Sequence, residues 1–148
     1  MSSSNLDSFQ TPGVDDATWL RLIEAAKTVQ PRAHVPYSNF HVGAALLGES
    51  GEIYTGVNVE IASIGATVCA ERSAISKAIT AGEKRFVALC VITRMDPPSA
   101  PCGICRQCLA EFCEDLPVLM INPEGGRRMS SLDELLPLRF SGLDFLDT

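Results

Sequence analysis

The chain has 148 residues, of which 46% are hydrophobic and 20% charged, and a formal net charge of −6. That length suits one domain around one core, and the composition is that of a globular protein rather than a disordered one. The acidic balance argues against polynucleotide binding, which needs a basic footprint, and no apolar run is long enough for an ordinary membrane span.

The opening residues, MSSSNLDSFQTPG, have no basic start and no apolar stretch of the secretory type. Residues 1–14 therefore read as a disordered lead-in and residues 15–148 as one domain. An intracellular, reducing location is expected, cytoplasmic in kind. Six cysteines in such a compartment point to metal binding or catalysis rather than to a disulfide framework.

Asp15-Asp16-Ala17-Thr18 opens a helical pattern. Trp19, Leu22, Ile23, Ala26 and Val29 fall on one stripe, so a helix is predicted to about Gln30, where Pro31 stops it. VPYSNF is a loop. HVGAALLG reads as a strand, Ser50-Gly51 as a hairpin turn and EIYTGVNVE as a second strand. On that strand Tyr54, Gly56, Asn58 and Glu60 share one face, because side chains alternate. IASIGAT is a glycine-containing loop. CAERSAISKAITAG is predicted helical with a stop at Gly82. FVALCVIT is a continuous apolar run and hence a central strand. After the loop DPPSAP, CGICRQCLAEFC starts the next helix and PVLMIN forms the next strand. PEGG is a turn, RRMS a short edge strand and SLDELLP a short capped helix. The order α-β-β-α-β-α-β, then a fifth strand and a tail, predicts an α/β fold: a mixed sheet with helices on both faces.

Chemistry concentrates at two helix starts. Cys102 and Cys105 have the spacing of a zinc knuckle, and Pro101 precedes them where a helix begins. Cys69 begins the other helix. If both N-termini converge, three thiolates meet near two positive dipole ends, which favour the thiolate form. Three protein ligands leave a fourth tetrahedral position open, the form of a catalytic zinc site. Glu71, two residues past Cys69, is better placed beside such a metal than on it, as a general acid and base.

Taken alone, Cys-x-x-Cys fits a structural half-site or chance as well as catalysis. Cys90 lies mid-strand and Cys113 at a helix end, so both read as buried thiols. Cys108 is the main competitor as a ligand. Along one helix Cys102, Cys105 and Cys108 each turn back by about 60°, so the three cannot point equally at one ion. The N-terminal pair has the dipole and the free amides, and Cys108 reads as core. His34 and His41 have no metal-binding spacing.

The pattern Cys-Ala-Glu followed by Pro-Cys-x-x-Cys resembles the zinc-dependent cytidine deaminases. PYSNFHVGAAL, GEIYTGVNVE, CAERSAI, PCGICRQCLAEF and DELLPLRF are all similar, in the same order, to segments of the small homotetrameric members of that family. The resemblance implies a three-layer α-β-α cytidine deaminase-like fold with a mixed five-stranded sheet. It implies one zinc per chain on Cys69, Cys102 and Cys105, and Glu71 as the proton shuttle. It also implies a homotetramer with shared active sites, a nucleoside substrate, and no nucleic-acid or membrane partner. Arg72, and more weakly Gln107, are implied as donors that offset the thiolate charge. Backbone around Thr67 and Ala70 is implied to read the base edge, and Ser99-Ala100 the leaving amine. Asn58 and Glu60 are implied to bind the ribose 3′-hydroxyl, Phe40 to lie near the base, and Phe140 to reach a neighbour's site. The implied reaction is hydrolytic deamination of cytidine and deoxycytidine in pyrimidine salvage. Another aminopyrimidine nucleoside, such as blasticidin S, is the alternative substrate. A zinc-stabilised binding protein without turnover is the alternative from another class, and it has no use for Glu71. No Lys or Arg lies between Val35 and Val68, which argues against a phosphorylated substrate.

The chain departs from the family after Asn-x-Glu. The small cytidine deaminases continue Asn-Ala-Ser/Ala-Tyr; here the run is Ile61-Ala62-Ser63-Ile64. The family tyrosine sits at a subunit contact near the sugar end of a neighbour's substrate, and Ile64 cannot donate its hydrogen bond. Two readings stand: a more apolar interface with unchanged specificity, or relaxed selection at the 5′ side of the sugar.

Overall fold

The computed structural model describes residues 9–146. Helix α1 (Asp16–Val29) starts where Asp15 accepts the Thr18 amide at 2.8 Å, satisfying one of the donors that every helix start leaves free. Its predicted apolar stripe is the buried one. The helix passes into a 3₁₀ turn, Gln30–Arg32, that contains Pro31.

The strands are β1 (Gly43–Gly48), β2 (Ile53–Val57), β3 (Phe86–Ile92), β4 (Pro117–Ile121) and β5 (Arg127–Ser131), in the spatial order β2-β1-β3-β4-β5. β3 and β4 run parallel and the other neighbours antiparallel. The parallel pair is bridged by α3 (Gly103–Ala110), as parallel strands need a crossover. α2 (Ala70–Thr80) joins β2 to β3, and two short helices, α4 (Leu132–Leu135) and α5 (Leu143–Leu146), follow β5.

Alternation divides the core in two. Ala44, Leu46, Leu89, Val91, Val118 and Met120 pack with Ala74, Ile75 and Ala78 of α2 and Leu109 of α3. Their neighbours Ala45, Leu47, Ala88, Cys90, Ile92, Leu119 and Ile121 pack with Trp19, Leu22, Ile23 and Ala26 of α1. The sheet is therefore the middle of three layers, and β3, buried on both faces, is the continuous apolar run of the sequence. Cys90 is one of these core residues, and burial pushes its thiol up to about 12.

Three stretches differ from expectation. Residues 1–8 of the expected lead-in lie outside the described residues. Residues 9–14 do not run free: the Phe9 ring lies 5.9 Å from that of Trp19, the Phe9 amide donates to Asp16, and Val14 is buried. β2 ends at Val57 rather than Glu60, because His34 enters beside it: the His34 amide donates to the Asn58 carbonyl, its carbonyl accepts the Glu60 amide, and Val59 makes only isolated bridges. α3 stops at Ala110, before Cys113, whose thiol donates to the Leu109 carbonyl at 3.0 Å.

The helix that carries Glu71 lies directly on β2. A Cβ at Gly56 would stand 2.3 Å from the Ala70 carbonyl oxygen and 2.5 Å from the Ala74 nitrogen. Both are backbone atoms, so neither can swing aside. Gly56→Ala is predicted to destabilise the fold by about 1–3 kcal/mol through overpacking and to lower turnover by displacing the start of α2. The denaturation midpoint and kcat check this; if both stay at wild-type values, the close approach does not position the site.

Candidate active site at two helix starts

Cys69 is the N-cap of α2 and Cys102 the N-cap of α3, both in extended backbone conformation. Neither thiol is spent on capping its helix, so the free amides and the positive dipole ends remain near the sulfurs. Cys105 sits in the first turn of α3, fully buried. The Cys69 and Cys102 sulfurs are 3.9 Å apart and those of Cys102 and Cys105 3.6 Å apart. All three lie within 4.8 Å of one another. Among the described residues this is the one such group of possible metal ligands, and neither histidine belongs to it. Cys108 is turned toward the core instead.

The charge distribution suits a cation at these sulfurs. The Cys69 thiol is pulled down to about 5, chiefly by the hydrogen bond it accepts from Cys105, with further help from Arg72 and Cys102. The neighbouring Cys69 thiolate pushes the Cys105 thiol up, and metal binding at such a group releases protons. Arg72 Nη2 donates to the Thr67 carbonyl at 3.0 Å and to the Cys69 sulfur at 3.7 Å. That contact places the cation against sulfur charge, while its buried Nε has no partner. A soft, all-thiolate donor set near positive helix ends fits zinc.

Beside the sulfurs is a cavity of about 250 Å³ lined by Phe40, Val42, Asn58, Thr67, Cys69, Ala70, Glu71, Val91, Thr93, Ser99, Ala100, Pro101 and Cys102. Its volume is below the roughly 300–1,000 Å³ of pockets for drug-sized ligands, so it suits one small molecule. Glu71 is only 4% exposed. Burial pushes its carboxyl above the ordinary value, opposed by a hydrogen bond with Cys105 and reinforced by the Cys69 thiolate. Asn58 and Glu60 hold the loop that carries Phe40. Asn58 Oδ1 accepts the Val42 amide at 2.9 Å and its Nδ2 donates to the Phe40 carbonyl at 2.7 Å. Glu60 Oε1 accepts the amides of Tyr37 and Ser38, each at 3.1 Å. The Ser38 hydrogen bonds lead the causes that hold the Glu60 carboxyl below its usual value.

Residues 17–120 match the family model described as the cytidine and deoxycytidylate deaminase zinc-binding region. This chain belongs to that family. A cytidine deaminase from Sporosarcina psychrophila is 45% identical over 125 residues, covering 84% of this chain and 92% of its own. The crystal structure of a cytidine deaminase from Burkholderia pseudomallei superposes with a TM-score of 0.79 at 44% identity, covering 82% of this chain and 98% of its own. A blasticidin-S deaminase from Bacillus cereus is 33% identical over 109 residues, covering 68% of this chain and 77% of its own.

Three of the residues expected near the site do not line this cavity. Gln107 gives its Nε2 donor to the Phe140 carbonyl at 3.0 Å rather than to a sulfur, because the end of the chain folds back over α3. Phe140 is 65% exposed and shares a groove with Arg72, Gln107 and Cys108 rather than lining its own chain's cavity. Glu60 stands behind the lining, at the loop. Sequence reasoning missed Val42, Val91 and Thr93, which line the cavity from β3 and the approach to β1. It also missed Arg94, whose guanidinium lies 5.3 Å from the centre of the Phe40 ring. The segment from Val35 to Val68 has no cation of its own, but the fold brings one to it.

Proposed function

We propose that this chain is a hydrolytic deaminase of cytidine and deoxycytidine, converting them with water to uridine or deoxyuridine and ammonia. The observation that carries the reading is a buried carboxyl, Glu71, beside three convergent thiols on the wall of a cavity of nucleoside size. Cys69, Cys102 and Cys105 are proposed as the zinc ligands. Zinc, when bound, acidifies water at neutral pH and so supplies the nucleophile for the amidine carbon. Glu71 accepts a proton from that water, delivers one to N3 of the base and carries a second to the departing amine. Its raised affinity for protons, from burial, suits both taking and giving them. Arg72 tempers the charge of the thiolates through its contact with Cys69.

The sugar is held by what Asn58 and Glu60 have left. After clasping the loop, Asn58 keeps one amide hydrogen and Glu60 keeps Oε2. A ribose hydroxyl, both acceptor and donor, satisfies the pair. The Thr67 and Ala70 backbone reads the base edge and the Ser99-Ala100 wall faces the leaving amine. A homotetramer with Phe140 and Ile64 at neighbouring sites is part of this reading, supported by their exposure of 65% and 79%. Six free cysteines suit a reducing, cytoplasmic setting and a role in pyrimidine salvage.

Loss of the ultraviolet cytosine band tests the reading with cytidine, deoxycytidine, cytidine monophosphate and blasticidin S. Turnover of the two nucleosides is expected; turnover of blasticidin S without cytidine would reassign the substrate. The same assay checks Ile64. A lost neutral hydrogen bond is worth about 0.5–1.5 kcal/mol, so Ile64→Tyr is predicted to raise the kcat/KM ratio of cytidine over 5′-deoxycytidine by roughly tenfold or less. An unchanged ratio removes Ile64 from sugar recognition.

A further inference from the structure

We propose that Arg94 is a positioning residue for Phe40, and so for one wall of the substrate cavity. The proposal rests on the reading of that cavity as a nucleoside site. The backbone of Phe40 is fixed by its neighbours: its amide donates to the Ser38 hydroxyl at 3.0 Å and its carbonyl accepts Asn58 Nδ2 at 2.7 Å. Those bonds leave the ring free to turn about its side-chain torsions. Phe40 lines the cavity and Arg94 does not, so the guanidinium 5.3 Å from the ring centre meets it from outside. There it holds the ring by attraction between cation and π-face.

Arg94 is itself well mounted. It follows Thr93 at the end of β3, where the Met95 amide donates to the Thr93 hydroxyl at 3.3 Å and Asn122 Nδ2 donates to the Met95 carbonyl at 3.0 Å. Its Nη1 donates to the Asn39 carbonyl at 3.3 Å, tying it to the same loop. No carboxylate forms an ion pair with Arg94 among the described residues, so the guanidinium is not held by a competing partner.

Arg94→Ala, Arg94→Gln and Arg94→Lys test the proposal on the full chain with zinc. An exposed cation–π contact predicts a KM for cytidine raised about two- to fivefold in Arg94→Ala and Arg94→Gln, with kcat and Tm unchanged and Lys restoring most of the loss. A second readout does not depend on the substrate. In protein labelled with 4-fluorophenylalanine, the Phe40 fluorine resonance, assigned with Phe40→Leu, is expected to shift and broaden in Arg94→Ala. An unmoved Phe40 resonance overturns the proposal, as does an unchanged KM or rescue by Gln equal to that by Lys. If the wild-type chain does not deaminate cytidine, the functional reading falls while the fluorine resonance still decides the role of Arg94.

Discussion

Replacing Glu71 with glutamine is predicted to abolish nearly all deamination while leaving zinc content and fold intact. The amide has the shape of the carboxyl but cannot carry a proton between water, ring nitrogen and amine. General acid–base catalysis is worth roughly 10²–10⁴ in rate, and one group here serves several transfers, so a fall in kcat at or above the top of that range is expected. Unfolding does not account for such a loss, because burying an ionisable carboxyl in a site 4% exposed is itself costly. The neutral amide removes that cost, and Tm is predicted to hold or rise. Single-turnover kinetics, zinc analysis and thermal unfolding of Glu71→Gln separate the cases. Near-normal turnover with metal retained would end the mechanism.

The features readable in the sequence were those made by local physics. The α1 stripe, the Asp15 cap and the doubly buried β3 each follow from a few adjacent residues, and each appears in the structure. That Cys69 meets Cys102 and Cys105 was implied by the family resemblance; helix-start placement alone left the meeting conditional on both N-termini converging, and spacing along one helix set Cys108 apart. What escaped notice is long-range. Phe9 belongs to the core only because Trp19 is there to receive it. β2 ends early because the His34 segment pairs beside it, and nothing in EIYTGVNVE announces that. Glu60 clasps amides 22 and 23 residues away, and Arg94 reaches a loop 55 residues distant. Gln107 was the weaker candidate donor to the sulfurs, as readily exposed as not, and the chain at Phe140 offers its donor a carbonyl. In each case the decisive partner lies in another element, so composition and periodicity carry no trace of it.

The ligand assignment predicts a sharp contrast between two cysteines on the same helix. Cys105→Ala is expected to lose zinc on dialysis and with it all turnover, whereas Cys108→Ala keeps one zinc per chain and near-normal kcat. Removing a partner that merely supports a ligand costs about 10–100-fold in metal affinity; deleting one of three ligand sulfurs costs more. The sulfur of Cys105 lies 3.6 Å from that of Cys102 and within 4.8 Å of that of Cys69. A further helical step of three turns the Cys108 side chain back by about 60°, and the structure shows it packed on the core and lining the groove with Arg72 and Phe140. Both substitutions remove little volume, so both chains should fold. Only Cys108→Ala should keep the zinc-dependent rise in Tm, because an ion stabilises the folded chain in proportion to how tightly that chain holds it. Elemental analysis and thermal unfolding with and without chelator check both variants. If Cys108→Ala loses the metal and Cys105→Ala keeps it, the third ligand lies one turn further along α3 and the site has been built on the wrong sulfur.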